Sequence, residues 1–319
     1  MRGALLPFSL LVAFVKLCGQ RARKSRKGAV LQRGESARGK NVRRPVLTAI
    51  LLLCVISSFP AISAEKLPSD LIFVQQGTLP IILTAPHGGR DPIPGIPARD
   101  ITSPPKAQKR YVTSSDRNSD LITQGIAKEI RALIGKDPYV VMARFQRKFI
   151  DPNRPPEIAY DSPASAGFYE YYHRSIRQFV DEIRARYPAG LLIDIHTQGK
   201  IPGSLVRGTL NGRAVTQLLA RAGVDAVTGP KGLFGQLETN GFSVFPTNDV
   251  LPSGKSENGG FNGGYTVARY GSHHTNGIDA IQFEFGITYR QDDELENTVK
   301  RAAKSLVVFY EAYLRRPPN

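Results

Sequence analysis

Leu191-Leu-Ile-Asp-Ile-His-Thr-Gln-Gly199 is the stretch on which the fold turns. Leu191, Ile193 and Ile195 alternate with Leu192, Asp194 and His196, the period of a strand that buries one face and directs Asp194 and His196 together from the other. A carboxylate and an imidazole are costly there unless both have partners. The strand ends in Thr-Gln-Gly and delivers His196 to a carboxyl-end crevice, where open α/β sheets place their ligands. Two readings fit these residues: a core histidine hydrogen-bonded to Asp194, or a metal ligand with Asp194 behind it as acceptor for the other ring nitrogen.

Outward from that stretch, the chain divides by composition. Residues 1–44 carry twelve Lys or Arg against one acid, Glu35, so eleven of the sixteen net positive charges lie there. An excess confined to a Gly-, Ser- and Arg-rich arm says little about the folded part, and nucleic acid is not expected as a partner. Arg43-Arg44, the apolar run Val46 to Phe59 and the small-residue ending Ala61-Ile-Ser-Ala64 have the order of a secretory signal peptide over 45–64. The run is short for a membrane span, so the mature form is expected to have no stable span, with an uncleaved anchor as the alternative. A periplasmic or secreted location follows, with cleavage near Ala64. A signal peptide should begin near its basic flank, so the first forty residues read as a mis-called start. Both cysteines, Cys18 and Cys54, fall in this leader, and the mature chain needs no disulfide.

Residues 65–319 have the size of one large α/β domain. Pro80–Ala85, Tyr139–Ala143, Leu191–Ile195 and Ala280–Phe285 read as strands. Between and after them lie three helical stripes: Ile122 to Leu133, ending at Gly135; Phe168 to Tyr187; and Leu295 to Tyr313. The alternation predicts a three-layer α/β/α sandwich around a mixed, mostly parallel sheet. Ser253 to Gly264 lacks GxGxxG or Walker spacing and reads as a loop over the site.

Polar residues then gather at the strand ends. His87-Gly-Gly follows the first strand, and two imidazoles with one carboxylate make a catalytic zinc set with an open fourth position. In Ile281-Gln-Phe-Glu-Phe285, Gln282 and Glu284 share a face. Glu284 is either a buried ion-pair partner or a general base. Asn153 and Arg154 follow another strand, and Arg154 offers a fork for a carboxylate. His173 falls in a helical pattern and reads as packing, whereas His273 and His274 lie in a loop near the Glu284 strand.

His87-Gly-Gly, Asp151-Pro-Asn-Arg154, Asp194-Ile-His196, Gly263-Gly-Tyr-Thr-Val-Ala-Arg-Tyr-Gly271 and Gln282-Phe-Glu284 stand in the order and approximate spacing of the N-formylglutamate amidohydrolase family, which the chain resembles over roughly 81–295. That family is similar in fold and site to the zinc carboxypeptidases, so the resemblance implies a phosphorylase/hydrolase-like fold. It also implies His87 and His196 as zinc ligands, Glu284 as the catalytic glutamate, and Asn153 with Arg154 as holders of a substrate carboxylate; Gln282 is counted with the substrate-binding residues. Asp91 is the first choice for the carboxylate ligand, and Asp116, ahead of the first long helix, is its rival. His196 is followed by Thr where the family commonly has Ser, and Gly286-Ile-Thr-Tyr289 replaces a more basic segment; both departures bear on the substrate.

The activity these residues imply is zinc-assisted hydrolysis of an amide in a small, carboxylate-bearing N-acyl amino acid, γ-glutamyl compound or peptide terminus. An export signal fits poorly with cytoplasmic formylglutamate. Two readings from other classes stay open: an exported carboxylate-binding protein without turnover, and a membrane-tethered interaction protein that uses the basic arm.

Overall fold

A computed structural model describes residues 68–102, 112–251, 255–257 and 260–315. The basic arm, the signal-peptide segment and both cysteines lie outside the described residues. Among those described, no helix is long and apolar enough to cross a membrane.

Seven strands form one sheet: β1 (Ile72–Gln75), β2 (Ile81–Ala85), β3 (Tyr139–Ala143), β4 (Leu191–Thr197), β5 (Leu205–Gly208), β6 (Val244–Phe245) and β7 (Asp279–Phe285), in the order β1-β3-β2-β4-β7-β5-β6. The central strands β3, β2, β4 and β7 run parallel, and antiparallel pairs join β1 to β3 and β5 to β7. The sheet is therefore mixed, as the alternating pattern predicts, and the four strands expected from the sequence are its parallel centre, β3, β2, β4 and β7.

Each face carries its own apolar core. Leu191, Ile193, Ile195, Ile281, Phe283 and Phe285 face helices Ser119–Ile134, Leu233–Thr239 and Leu295–Phe309 through Ile122, Phe234 and Leu306. Leu192 and Ala280 face helix Ala166–Arg186 through Tyr172, Ile176 and Phe179. The helix after β2 and the helix after β3 thus cover opposite faces, and the order in which strands are added reverses at β2, with β3 on one side of it and β4 on the other. That reversal opens a crevice at the carboxyl ends of β2 and β4. The expected helix end at Gly135 is observed, with φ of 67°, a left-handed conformation that glycine adopts without a Cβ penalty.

β1, β5 and β6 were not expected. β5 carries Arg207, which is fully buried, and a buried arginine breaks the apolar signature by which a strand is read.

Candidate metal centre and active site

The parallel register sets the site. Thr84, Asp194 and Gln282 lie side by side across β2, β4 and β7, and His196 neighbours Glu284 one step nearer the carboxyl ends. Thr84 Oγ1 donates to Asp194 Oδ1 at 2.6 Å, and Asp194 Oδ2 lies 3.0 Å from His196 Nε2. A ring nitrogen facing an acceptor-only carboxylate carries the proton, so Nδ1 of His196 is left to face the crevice.

His87 follows β2 directly and leads into the turn at Gly88-Gly89. A Cβ on Gly89 would sit 2.3 Å from the Arg144 carbonyl carbon, so only glycine lets the turn lie against the extension of β3. His87 Nε2 lies 2.7 Å from Asp151 Oδ1. Asp151 is fully buried and is held from the other side by Arg147, with Nε at 2.9 Å and Nη2 at 2.8 Å from Oδ2. Both histidines therefore have the far nitrogen on a buried carboxylate, the arrangement that orients metal-binding imidazoles.

The third group is Asp116. Its N–H donates to the His87 carbonyl at 3.0 Å, which folds residues 112–118 back over the strand ends. Asp116 Oδ2 stands 2.8 Å from His196 Nδ1 and 3.4 Å from His87 Nδ1, and the two Nδ1 atoms are 3.2 Å apart. Tetrahedral zinc with bonds near 2.0–2.1 Å separates neighbouring ligand atoms by about 3.3 Å. The donor set fits: two imidazole nitrogens and one carboxylate oxygen meet at one point, and this group is a possible metal site.

Asp91 is not part of it. Its N–H donates to Arg144 O and its carbonyl accepts from Gln146 N, a bridge alongside Phe145 that leaves its carboxylate exposed. Of the two acids left open by the sequence, Asp116 is the one beside the histidines.

A cleft of about 410 Å³ opens on this cluster. His87, Asp116 and His196 line it together with Arg147, Asn153, Arg154, Lys200, Phe261, Gln282 and Glu284. Gln282 Nε2 donates to Glu284 Oε1 at 2.9 Å, which helps fix the carboxyl of Glu284, while Gln282 itself lines the cleft. Asn153 lines the same cleft: its Oδ1 accepts from Thr266 N–H at 2.9 Å, and its Nδ2 lies 3.2 Å from His196 Nε2. Arg154 is half-buried, donates to the Asn153 carbonyl at 2.7 Å and leaves the rest of its guanidinium at the cleft. Arg147 has no place in the sequence reading. The signal was present in its spacing of four from Asp151, but a surface pair would have the same spacing.

Charge follows burial and contact. Burial pushes the Glu284 carboxyl up to about 8, opposed by His196 and reinforced by Asp116 and Asp194. Burial disfavours the anion of Asp116, but the histidines outweigh it and hold the carboxyl far below the usual range. For Asp151, His87 and Arg147 outweigh burial in the same sense. Burial would discharge His196, yet Asp194 and Asp116 raise it well above an ordinary imidazole.

His173 is buried in its helix, between the Pro152 carbonyl and the Tyr270 hydroxyl at 3.0 Å each, and serves packing. His273 and His274 are not among the residues lining the cleft.

No protein-family model and no curated protein matches the chain. Among solved structures, the N-formylglutamate amidohydrolase from Ralstonia eutropha JMP134 superposes with a TM-score of 0.53 at 13% identity, covering 76% of this chain and 98% of that one. This likeness establishes a shared fold. A gene product of Agrobacterium tumefaciens matches with a TM-score of 0.48 at 12% identity, covering 78% of this chain and 97% of its own. A bacteriophage poly-gamma-glutamate hydrolase matches at 0.34 and 10%, covering 76% and 89%.

Proposed function

We propose that the chain is an exported zinc-dependent amidohydrolase, acting on an amide bond of a small substrate that bears a free carboxylate. The observation that carries this reading is the meeting of His87 Nδ1, His196 Nδ1 and Asp116 Oδ2 within 3.4 Å of one another, in a cleft that also holds Glu284. The shared fold with an N-formylglutamate amidohydrolase, a protein named for amide hydrolysis, supports it.

Bound there, zinc supplies Lewis acidity toward water and an amide carbonyl. Glu284, held by Gln282, takes the proton from the attacking water and returns it to the leaving nitrogen. Arg154 binds the substrate carboxylate through its free donors and sets the scissile bond in the cleft. Asp151 and Asp194 hold the two histidines in the tautomer that turns Nδ1 inward. The signal-like segment 45–64 supports export to the periplasm or medium, where a γ-glutamyl or N-acyl amino acid amide is the better substrate class; amino-terminal sequencing should find Glu65 at or near the mature start.

The test is a panel of N-acyl amino acids, γ-glutamyl amides and their descarboxy analogues, assayed with zinc-loaded and chelator-treated protein. Hydrolysis restricted to carboxylate-bearing amides and abolished by chelation is expected. Tight binding without turnover would favour a carboxylate-binding protein, and indifference to the carboxylate would remove Arg154 from its role.

A further inference from the structure

Across the cleft, Gly260, Phe261, Gly263 and Gly264 form a wall that contributes no titratable group. Three residues before it in the chain stands a buried anion outside the reaction, Glu257. Leu210, Asn211 and Gly212 follow β5 with φ of 56°, 57° and 82°, three successive left-handed residues of which only the last is glycine. Such a turn gathers backbone N–H groups into an anion-binding concavity. The anion is the chain's own Glu257: Oε2 accepts from Thr209 N–H at 2.9 Å, Thr209 Oγ1 at 2.7 Å and Asn211 N–H at 3.1 Å, while Oε1 accepts from Arg207 Nε at 2.9 Å. The Glu257 N–H donates in turn to Asn211 Oδ1 at 2.8 Å.

The same turn grips the wall from its other side. Leu210 N–H donates to the Asn262 carbonyl at 2.8 Å, and Asn262 Nδ2 donates to Asn211 Oδ1 at 2.9 Å. At the far end a Cβ on Gly264 would sit 2.2 Å from Asn153 Nδ2, so the wall closes directly on the amide beside His196. Phe261 is thereby held beneath Lys200, whose Nζ lies 5.6 Å from the ring centre.

We propose that Glu257 is a positioning residue: it seats the Gly260–Gly264 wall and, through Phe261, sets how tightly the far end of the substrate is held. The second half rests on the amidohydrolase reading, and the first does not. The chain contains no tryptophan, so Phe261→Trp makes residue 261 the only indole reporter in the full-length mature protein. Into that background go Glu257→Gln and, so that no buried guanidinium is left without its anion, the pair Arg207→Met with Glu257→Gln.

Both changes should raise the acrylamide quenching constant at least about threefold and speed amide exchange across 260–264, while metal content and a cooperative melt persist. With the amide substrate, KM should rise about tenfold and kcat stay within about twofold, because no wall group moves a proton. Unchanged quenching and exchange in the charge-free pair would overturn the seating role. A freed wall with unchanged KM would overturn the link to substrate. If no variant, nor the unmutated protein, hydrolyses any amide, the amidohydrolase reading fails and takes the substrate half with it, while quenching still decides the seating.

Discussion

Asp194 Oδ2 and His196 Nε2 lie 3.0 Å apart, two residues from each other on one face of β4. Alternation alone puts them there, and the contact fixes which nitrogen of His196 faces the cleft. Asp194→Asn keeps the shape but weakens the acceptor, so metal affinity should fall by about 10- to 100-fold without loss of fold. Competition with a chromophoric chelator measures this, and unchanged affinity would reduce Asp194 to a packing group.

Asp116 and Asp91 separate by the same assay. Asp116→Ala removes one of the three converging atoms, whereas Asp91 is exposed and pairs through its backbone with the extension of β3. Asp116→Ala should lose stoichiometric metal and Asp91→Ala should retain it. The reverse pattern would mean that the 112–118 segment lies differently over the strand ends.

The site was legible where period-2 alternation carries it. Leu191 to His196 and Ile281 to Phe285 declare their strands, and a polar residue on the wrong side of a strand declares itself as well. Asp116 was open because its approach to His87 depends on a hydrogen bond across 29 residues of chain, from Asp116 N–H to His87 O, which has no local pattern. The partners that Asn153 and Gln282 take within the fold were hidden for a related reason. Their amides point at Thr266 and Glu284, partners 113 and two residues away, and the sequence shows only that polar side chains sit near a strand end. The buried Arg147–Asp151 pair and the β5 strand with Arg207 were hidden because a paired buried charge reads as a surface one.

In metal-free protein, His196 and Glu284 shift stability in one direction. His196 is raised, so its contribution is complete below its unfolded value near 6.5 and is lost as pH rises through the higher folded value. Burial raises Glu284 from 4.5 to about 8, so the folded state favours its proton and stability is lost as pH climbs between those values. Asp116 and Asp151, held low, act oppositely, but in a window below the ordinary carboxylate value of 3.8. The Tm of chelator-treated protein should therefore fall as pH rises from about 6.5 to about 8. The gain in Tm on adding zinc should grow over the same range, because the metal must displace the proton of His196. Calorimetry with and without zinc checks both slopes; a metal-free Tm that rises through this window would contradict the assignment.

Glu284→Gln keeps the size and the contact with Gln282 but removes the base. Turnover should drop by about 10² to 10⁴ while metal content stays unchanged. Metal lost together with activity would make Glu284 a ligand, and full activity would leave it a buried structural acid.

The most direct measurement is the metal content and ligand environment of well-folded mature protein, by elemental analysis and X-ray absorption, beside His196→Ala. The proposed function predicts one zinc per chain at the His87, Asp116 and His196 group, with nitrogen and oxygen neighbours at about 2.0–2.2 Å, and its loss in His196→Ala. Folded protein that takes up no stoichiometric zinc, or a His196→Ala variant that holds it unchanged, would contradict the account.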